Sequence, residues 1–212
     1  MKENLSRPLR ELAFKHSSLR GLAVLLVVTT LWGSSFPAIK TVMSHIDEWT
    51  YTWLRNAIAI VGLSPYLFYA YIKDKVNRRA VLGGLTIGIA YATGLFFQGW
   101  GTKFTTASNS AFITGLNAVF VHFYVALFKR RYSYSLALSL SLGTIGLYLL
   151  TSPKGFNLGD FLVLVGAIGW ASQVILVDKY SDEDPLVVTF FQMTVALTFA
   201  LGNLGRLEGF SL

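Results

Sequence analysis

Seven apolar blocks, each about 20 residues long, follow one another along the chain with only short polar connections between them. A helix rises about 1.5 Å per residue, so a block of that length matches a hydrocarbon core about 30 Å thick. A helix also satisfies its own backbone N–H and C=O groups, which the core of a bilayer demands. The rest of the composition agrees. With 53% hydrophobic and 14% charged residues, 212 residues hold too little polar material to cover a soluble globule. The expected fold is therefore all-α, a polytopic integral membrane protein, with spans at 21–43, 51–71, 81–100, 105–128, 134–151, 159–177 and 185–204.

The basic residues set the expected orientation. Lys2, Arg7, Arg10, Lys15 and Arg20 precede the first block, Lys73, Lys75, Arg78 and Arg79 follow the second, and Lys129, Arg130 and Arg131 follow the fourth. That places twelve of the 18 basic residues on one side. The other side holds Lys103, Lys154 and the acidic pair Asp47 and Glu48. The positive-inside rule then puts the N-terminus in the cytoplasm of a plasma-membrane protein, and the odd span count puts Arg206 and Glu208 outside. One connection runs against the pattern: Asp178, Lys179, Asp182, Glu183 and Asp184 fall inside by alternation yet are acidic. Residues 1–20 read as a cytoplasmic leader rather than a cleaved signal, because the apolar run behind them is span-length and holds Trp32 and Pro37 where a cleavage site would sit.

Several function classes drop out. There is no cysteine, so no disulfide framework, thiol nucleophile or zinc-thiolate site. His16, His45 and His122 are far apart, and no metal set is visible. The formal charge of +7 is the topology signal of a multispanning protein, not a nucleic-acid footprint. No catalytic triad or phosphate loop suggests an enzyme, and no cofactor is expected.

The chain also echoes itself. Trp32, Gly33, Ser34 and Ser35 in the first block return as Trp170, Ala171, Ser172 and Gln173 in the sixth. Nearly the same offset aligns Asp47 with Asp184, Thr52 with Thr189, Trp53 with Phe190, Arg55 with Gln192 and Ala59 with Ala196. Spans 6 and 7 restart what spans 1 and 2 began. Since five spans separate the starts, the second copy enters from the opposite side, an inverted-topology repeat. Residues 21–151 form a first five-helix unit and 159–212 an incomplete second unit of two helices.

Polar residues inside the spans are the functional candidates. On span 1, Thr30, Ser34, Pro37 and Thr41 share one face, with Pro37 a kink point; either the face lines a pore or the hydroxyls bond back to their own helix. Arg55 is the charged residue well inside a span and needs a partner. It is either a gate or structural charge paired with Asp47 or Glu48, or a contact for an anionic group. Gly84 and Gly88 on span 3 form a small-residue contact pattern, with Tyr91 and Gln98 as cavity candidates. On span 4, Thr106, Ser110, Thr114 and Asn117 share a face beside Asn109. His122 could relay protons, but a lone histidine is more often structural, and the only carboxylates for such a role are Asp160 and Asp178 at the ends of span 6.

Taken together, residues 31–40, Trp53-Leu54-Arg55, residues 105–117, Gly159-Asp160 and Gly169-Trp170-Ala171 resemble the EamA-type permeases of the drug/metabolite transporter superfamily. The resemblance covers residues 21–204. It implies ten helices in two inverted five-helix units (5+5) around a cavity open alternately to each side, carrying amino acids, other small metabolites or amphipathic drugs, often outward. Trp32, Ser34, Arg55, Asn109 and Trp170 match recurrent family positions. Two positions depart: the family has proline where His122 stands and an acidic residue near Arg130. Three closing helices are also missing from the pattern, so the chain reads as truncated.

The sequence thus points to a secondary transporter embedded in the lipid bilayer and moving a small-molecule substrate, with Trp32, Ser34, Tyr91, Gln98, Asn109, Asn117 and Trp170 as cavity residues. Self-association or complementation by the missing helices would complete it. The alternatives are a seven-helix receptor or interaction protein, and a non-functional fragment of an interrupted transporter gene.

Overall fold

The computed structural model describes residues 7–129, 133–151 and 156–202. Arg130, Arg131, Lys154, Arg206 and Glu208, together with the start of the leader and the end of span 7, lie outside the described residues. The described residues form eight helices and no strand: α1 (Arg7–Val42), α2 (Glu48–Ile72), α3 (Arg78–Phe104), α4 (Ala107–Gly115), α5 (Asn117–Phe128), α6 (Tyr134–Thr151), α7 (Leu158–Lys179) and α8 (Pro185–Leu201).

The polar connections between apolar blocks supply the helix starts. A helix opens with unpaired N–H groups, and a short polar side chain ahead of it can accept from them. Asp47 accepts from the N–H groups of Trp49 and Thr50 at 2.8 Å and opens α2. Asn77 accepts from Ala80 N–H at 2.8 Å, and Thr106 from Asn109 N–H at 3.0 Å. Asn157 and Asp160 cap α7 reciprocally, each accepting from the other's N–H at 3.0 Å. Asp184 accepts from Leu186 N–H at 3.1 Å, and Pro185 occupies the first turn of α8, where its missing N–H is harmless.

Four stretches are long and apolar enough to cross a membrane: Gly21–Val42, Arg78–Phe104, Ala107–Phe128 and Leu158–Lys179. The third differs from the single helix expected, because α4 ends at Gly115 and α5 restarts at Asn117. At the break Leu116 N–H reaches back only three residues, to Ile113 O at 3.1 Å. Gly115, a weak helix former, sits where the helix tightens. Helix α2 has the length but carries Arg55, Asn56 and a series of tryptophans and tyrosines, while α8 is apolar and 17 residues long.

The chain forms two compact units that meet between Ala38 and Ile39. In the first, α1 exposes Leu22, Val24, Leu25, Leu26 and Leu31. In the second, α3 packs against α7, α8 and α2. Both α3 and α7 approach through glycine. A Cβ on Gly101 would lie 2.6 Å from Gly159 O, one on Gly159 equally close to Gly101 O, and one on Gly169 2.6 Å from Gly94 N. On another side of α3, Gly84 and Gly88, the contact pattern expected from sequence, admit Phe191 and Val195 of α8.

Candidate functional site

Three polar assemblies emerge in the second unit, each joining residues remote in sequence. The first runs through its middle. Gly94 leaves room on α3 for the indole of Trp170, whose ring atoms would lie 2.9 Å from an added Cβ. So admitted, Trp170 stands edge-on to Tyr91 with ring centres 5.6 Å apart, and its Nε1–H donates to Gln98 Oε1 at 3.0 Å. The Tyr91 hydroxyl donates to Asn56 Oδ1 at 3.2 Å, and Asn56, fully buried, donates from Nδ2 to Thr52 O at 2.7 Å. One residue away, Arg55 donates from Nη1 to the Tyr51 hydroxyl at 2.6 Å. Gly99 makes the space on α3 for the Tyr51 ring. Gln173 Nε2 meets Gln192 Oε1 at 3.3 Å on the α8 side.

The second assembly closes one end of the bundle. Asp160 is 1% exposed, and its carboxylate accepts from the Thr105 hydroxyl and from Asn109 Nδ2, besides capping α7. Ser110 and Thr102 hydroxyls meet at 2.6 Å beside it, and Lys40 donates to the carbonyls of Thr102 at 3.0 Å and Lys103 at 2.9 Å. A cavity of about 360 Å³ borders Asn109 and Asp160, walled by Phe112, Tyr148 and Phe156. A lysine on the last carbonyls of α3 and a buried carboxylate at the first N–H of α7 both suit the helix dipoles.

The third assembly resolves the one loop whose charge runs against its expected side. Its acidic residues meet the basic connections. Lys75 Nζ bonds Asp184 at 3.0 Å, Arg79 Nε lies 3.5 Å from Glu183, Asn77 donates to Glu183 at 2.7 Å, and Lys129 Nζ reaches Asp178 at 2.6 Å. Tyr66 adds its hydroxyl to Asp184 at 2.6 Å. The bond to Asp184 raises the Lys75 pKa above the ordinary lysine value. For Asp184, burial pushes the pKa up, but the bonds from Tyr66, Lys75 and two backbone N–H groups outweigh it and hold the carboxyl below the usual carboxylate range. Asp47 behaves alike, with burial opposed by the hydrogen bonds from Thr50 and Trp49.

Among the residues singled out in the sequence, Tyr91, Gln98 and Trp170 come together in the first assembly. Asn109 belongs to the second, and Asn117 begins α5, half-buried. Trp32 and Ser34 lie in the unit that ends at Ala38; Trp32 is exposed, and Ser34 donates back to Leu31 O at 2.9 Å. Helix α1 continues through Pro37. Arg55 bonds Tyr51, while Asp47 is engaged as a cap and Glu48 opens the first turn of α2. His122 is half-buried on α5. Asn56 and Thr102 escaped the sequence reading because an asparagine or threonine inside an apolar run gives no sign of its face. For Asn56 the neighbouring Arg55 was the available signal. No group of metal-ligating residues occurs among the described residues.

Residues 19–152 match the EamA-like transporter family. An uncharacterized transporter of Archaeoglobus fulgidus is 30% identical over 174 residues, covering 79% of this chain and 52% of the relative. A second uncharacterized transporter of the same organism is 26% identical over 190 residues, covering 85% of this chain and 64% of the relative. The chain therefore spans between half and two thirds of the length of these relatives. No solved structure matches.

Proposed function

The chain belongs to the EamA-like transporter family, and from that premise we propose that it is a permease moving small organic metabolites across the plasma membrane, in the direction of efflux. The observation that carries the reading is the set of polar and aromatic side chains that links Asn56 through Tyr91 to Trp170 and Gln98, with Arg55, exposed on α2, bonded to Tyr51 beside it. It joins α2 and α3 to α7 with side chains able to hold a solute rather than with apolar packing alone. In lipid such groups are retained where they face protein or water.

The seven apolar blocks are seven crossings of a ten-helix, 5+5 inverted repeat, with residues 21–151 one unit and 159–212 the opening of the other. Two features support this. Asp47 and Asp184, aligned by the internal repeat, cap α2 and α8 in the same way. The acidic loop before α8 meets the basic loops before α3 and after α5, as loops on one side of a membrane do; with basic residues in excess there, that side is the cytoplasm. Rocking of one unit against the other exposes the site alternately. Within the same compact unit, Asn109 and Asn117 add polar side chains to its wall, and in the other unit Pro37 lets α1 bend.

Counterflow of a radiolabelled metabolite mixture into proteoliposomes tests this, run with these 212 residues and with the chain extended by three further helices from a relative. Saturable counterflow by either form is expected. Absence from both, across amino acids, organic acids and amines, overturns the permease reading.

A further inference from the structure

The interior path is rich in donors and poor in acceptors, and this selects the charge of what it holds. Arg55, exposed on α2 beside this path, is the charged side chain in the middle of a span. Among the described residues it takes part in none of the ion pairs, which all join loop and helix-end residues. Its one hydrogen bond goes to the Tyr51 hydroxyl, so most of its five N–H donors remain to be used. A guanidinium at membrane depth costs at least about 2.5 kcal/mol by insertion scales and is retained where an anion compensates it.

The neighbours add donors, not acceptors. Trp170 Nε1–H can only donate, so its bond to Gln98 fixes the Gln98 carbonyl toward the indole and leaves the amide N–H2 as the free end. Asn56 has its oxygen taken by Tyr91 and its nitrogen by Thr52 O. Tyr91 touches both sides of the arrangement: its ring meets Trp170, and its hydroxyl meets Asn56 beside Arg55. The buried carboxylate among the described residues, Asp160, is not available to an ammonium group, because it is committed to Thr105, Asn109 and Asn157 at the end of the bundle.

We propose that Arg55, with the Gln98 amide and the Tyr91–Trp170 aromatic pair, forms a subsite for a small monocarboxylate with an apolar or aromatic body, and that the cargo is an organic acid rather than an amine or a zwitterion. The assignment rests on the permease reading and sharpens it. The guanidinium takes the carboxylate oxygens bidentately, and the rings take the body.

Three probes of one shape separate the possibilities: phenylacetate, 2-phenylethanol and phenethylamine. Each is titrated against the 212-residue chain in lipid nanodiscs, with tryptophan fluorescence as the readout. Phenylacetate is expected to bind saturably, at least about tenfold tighter than the alcohol or the amine, since a hydrogen bond to a charged group is among the strong ones. R55Q is expected to erase that preference and R55K to keep part of it. Thermal melting of each variant reports whether it folds, and the three-probe ranking on the unaltered chain stands even if R55Q does not. Equal binding of the alcohol or the amine, or an unchanged ranking in R55Q, overturns the proposal while leaving the permease intact. Binding of none of the three overturns it too, and counterflow of other solutes then decides separately whether the chain transports.

Discussion

On α7, Gly159 and Gly169 touch the backbone of α3, whereas on α6 a Cβ added to Gly143 or Gly146 would meet nothing within 4 Å. The two helices are similar in composition and length, and each was expected to cross the membrane. The difference is physical. Lipid is as apolar as a leucine side chain, so burying apolar surface does little to bring helices together in a bilayer. Close backbone approach and interhelical hydrogen bonds do that work. Helices α3 and α7 have both, through their glycines and through Trp170, Gln98, Thr105 and Asp160. By contrast, the hydroxyl of Ser139 on α6 bonds back to Ser135 O at 2.8 Å, and α5 buries no residue.

The largest effect should come from closing the seam. Gly159→Leu and Gly169→Leu drive a side chain into the α3 backbone and should destabilise by about 3 kcal/mol or more, read as loss of folded protein in denaturant titration in lipid. Tolerance of both would mean that the seam is not what holds α3 to α7. Next comes Asp160→Ala, which strands Thr105, Asn109 and the α7 cap; about 2 kcal/mol should be lost, against about 0.5 kcal/mol or less for Ser139→Ala on α6.

A smaller effect is expected at the loop clasp. The folded Asp184 carboxyl titrates below the ordinary aspartate value of 3.8, so its contribution is fully present above that value and disappears as pH falls through the lower folded one. Melting of the unaltered chain should therefore drop below that pH. The Asp184→Asn variant should start lower and change less, and parallel curves would remove the clasp from the account. Smallest of all, Gly143→Ala and Gly146→Ala should be neutral or stabilising by about 0.5–1 kcal/mol, because the added methyl meets open space and restricts the unfolded chain. A loss in either would show that α6 has a partner like that of α7.

The expected charge conflict in the loop from Asp178 to Asp184 shows how sequence and structure divide the problem. Alternation of the spans assigned that loop to the basic side against its own sign. The structure keeps it with the basic loops and makes the sign an asset, pairing it with Lys75, Arg79 and Lys129. The same division holds at the site. Tyr91, Gln98 and Trp170 were legible because a polar or large aromatic group inside an apolar run calls for a reason. Their grouping was not legible, nor was the role of Gly94 in admitting the indole.

By itself the sequence determined the apolar blocks, the polar boundaries between them, the internal repeat and the family. Span length, cap chemistry and motif order are local properties of a chain. Tertiary structure alone decided which glycines meet backbone, where Asp160 finds its donors, why α4 stops at Gly115, and that Arg55 faces tyrosine rather than carboxylate. Those depend on which side of each helix turns inward, and an apolar run bounded by lipid on one side and by protein on the other carries no hydrophobic contrast from which that side could be read.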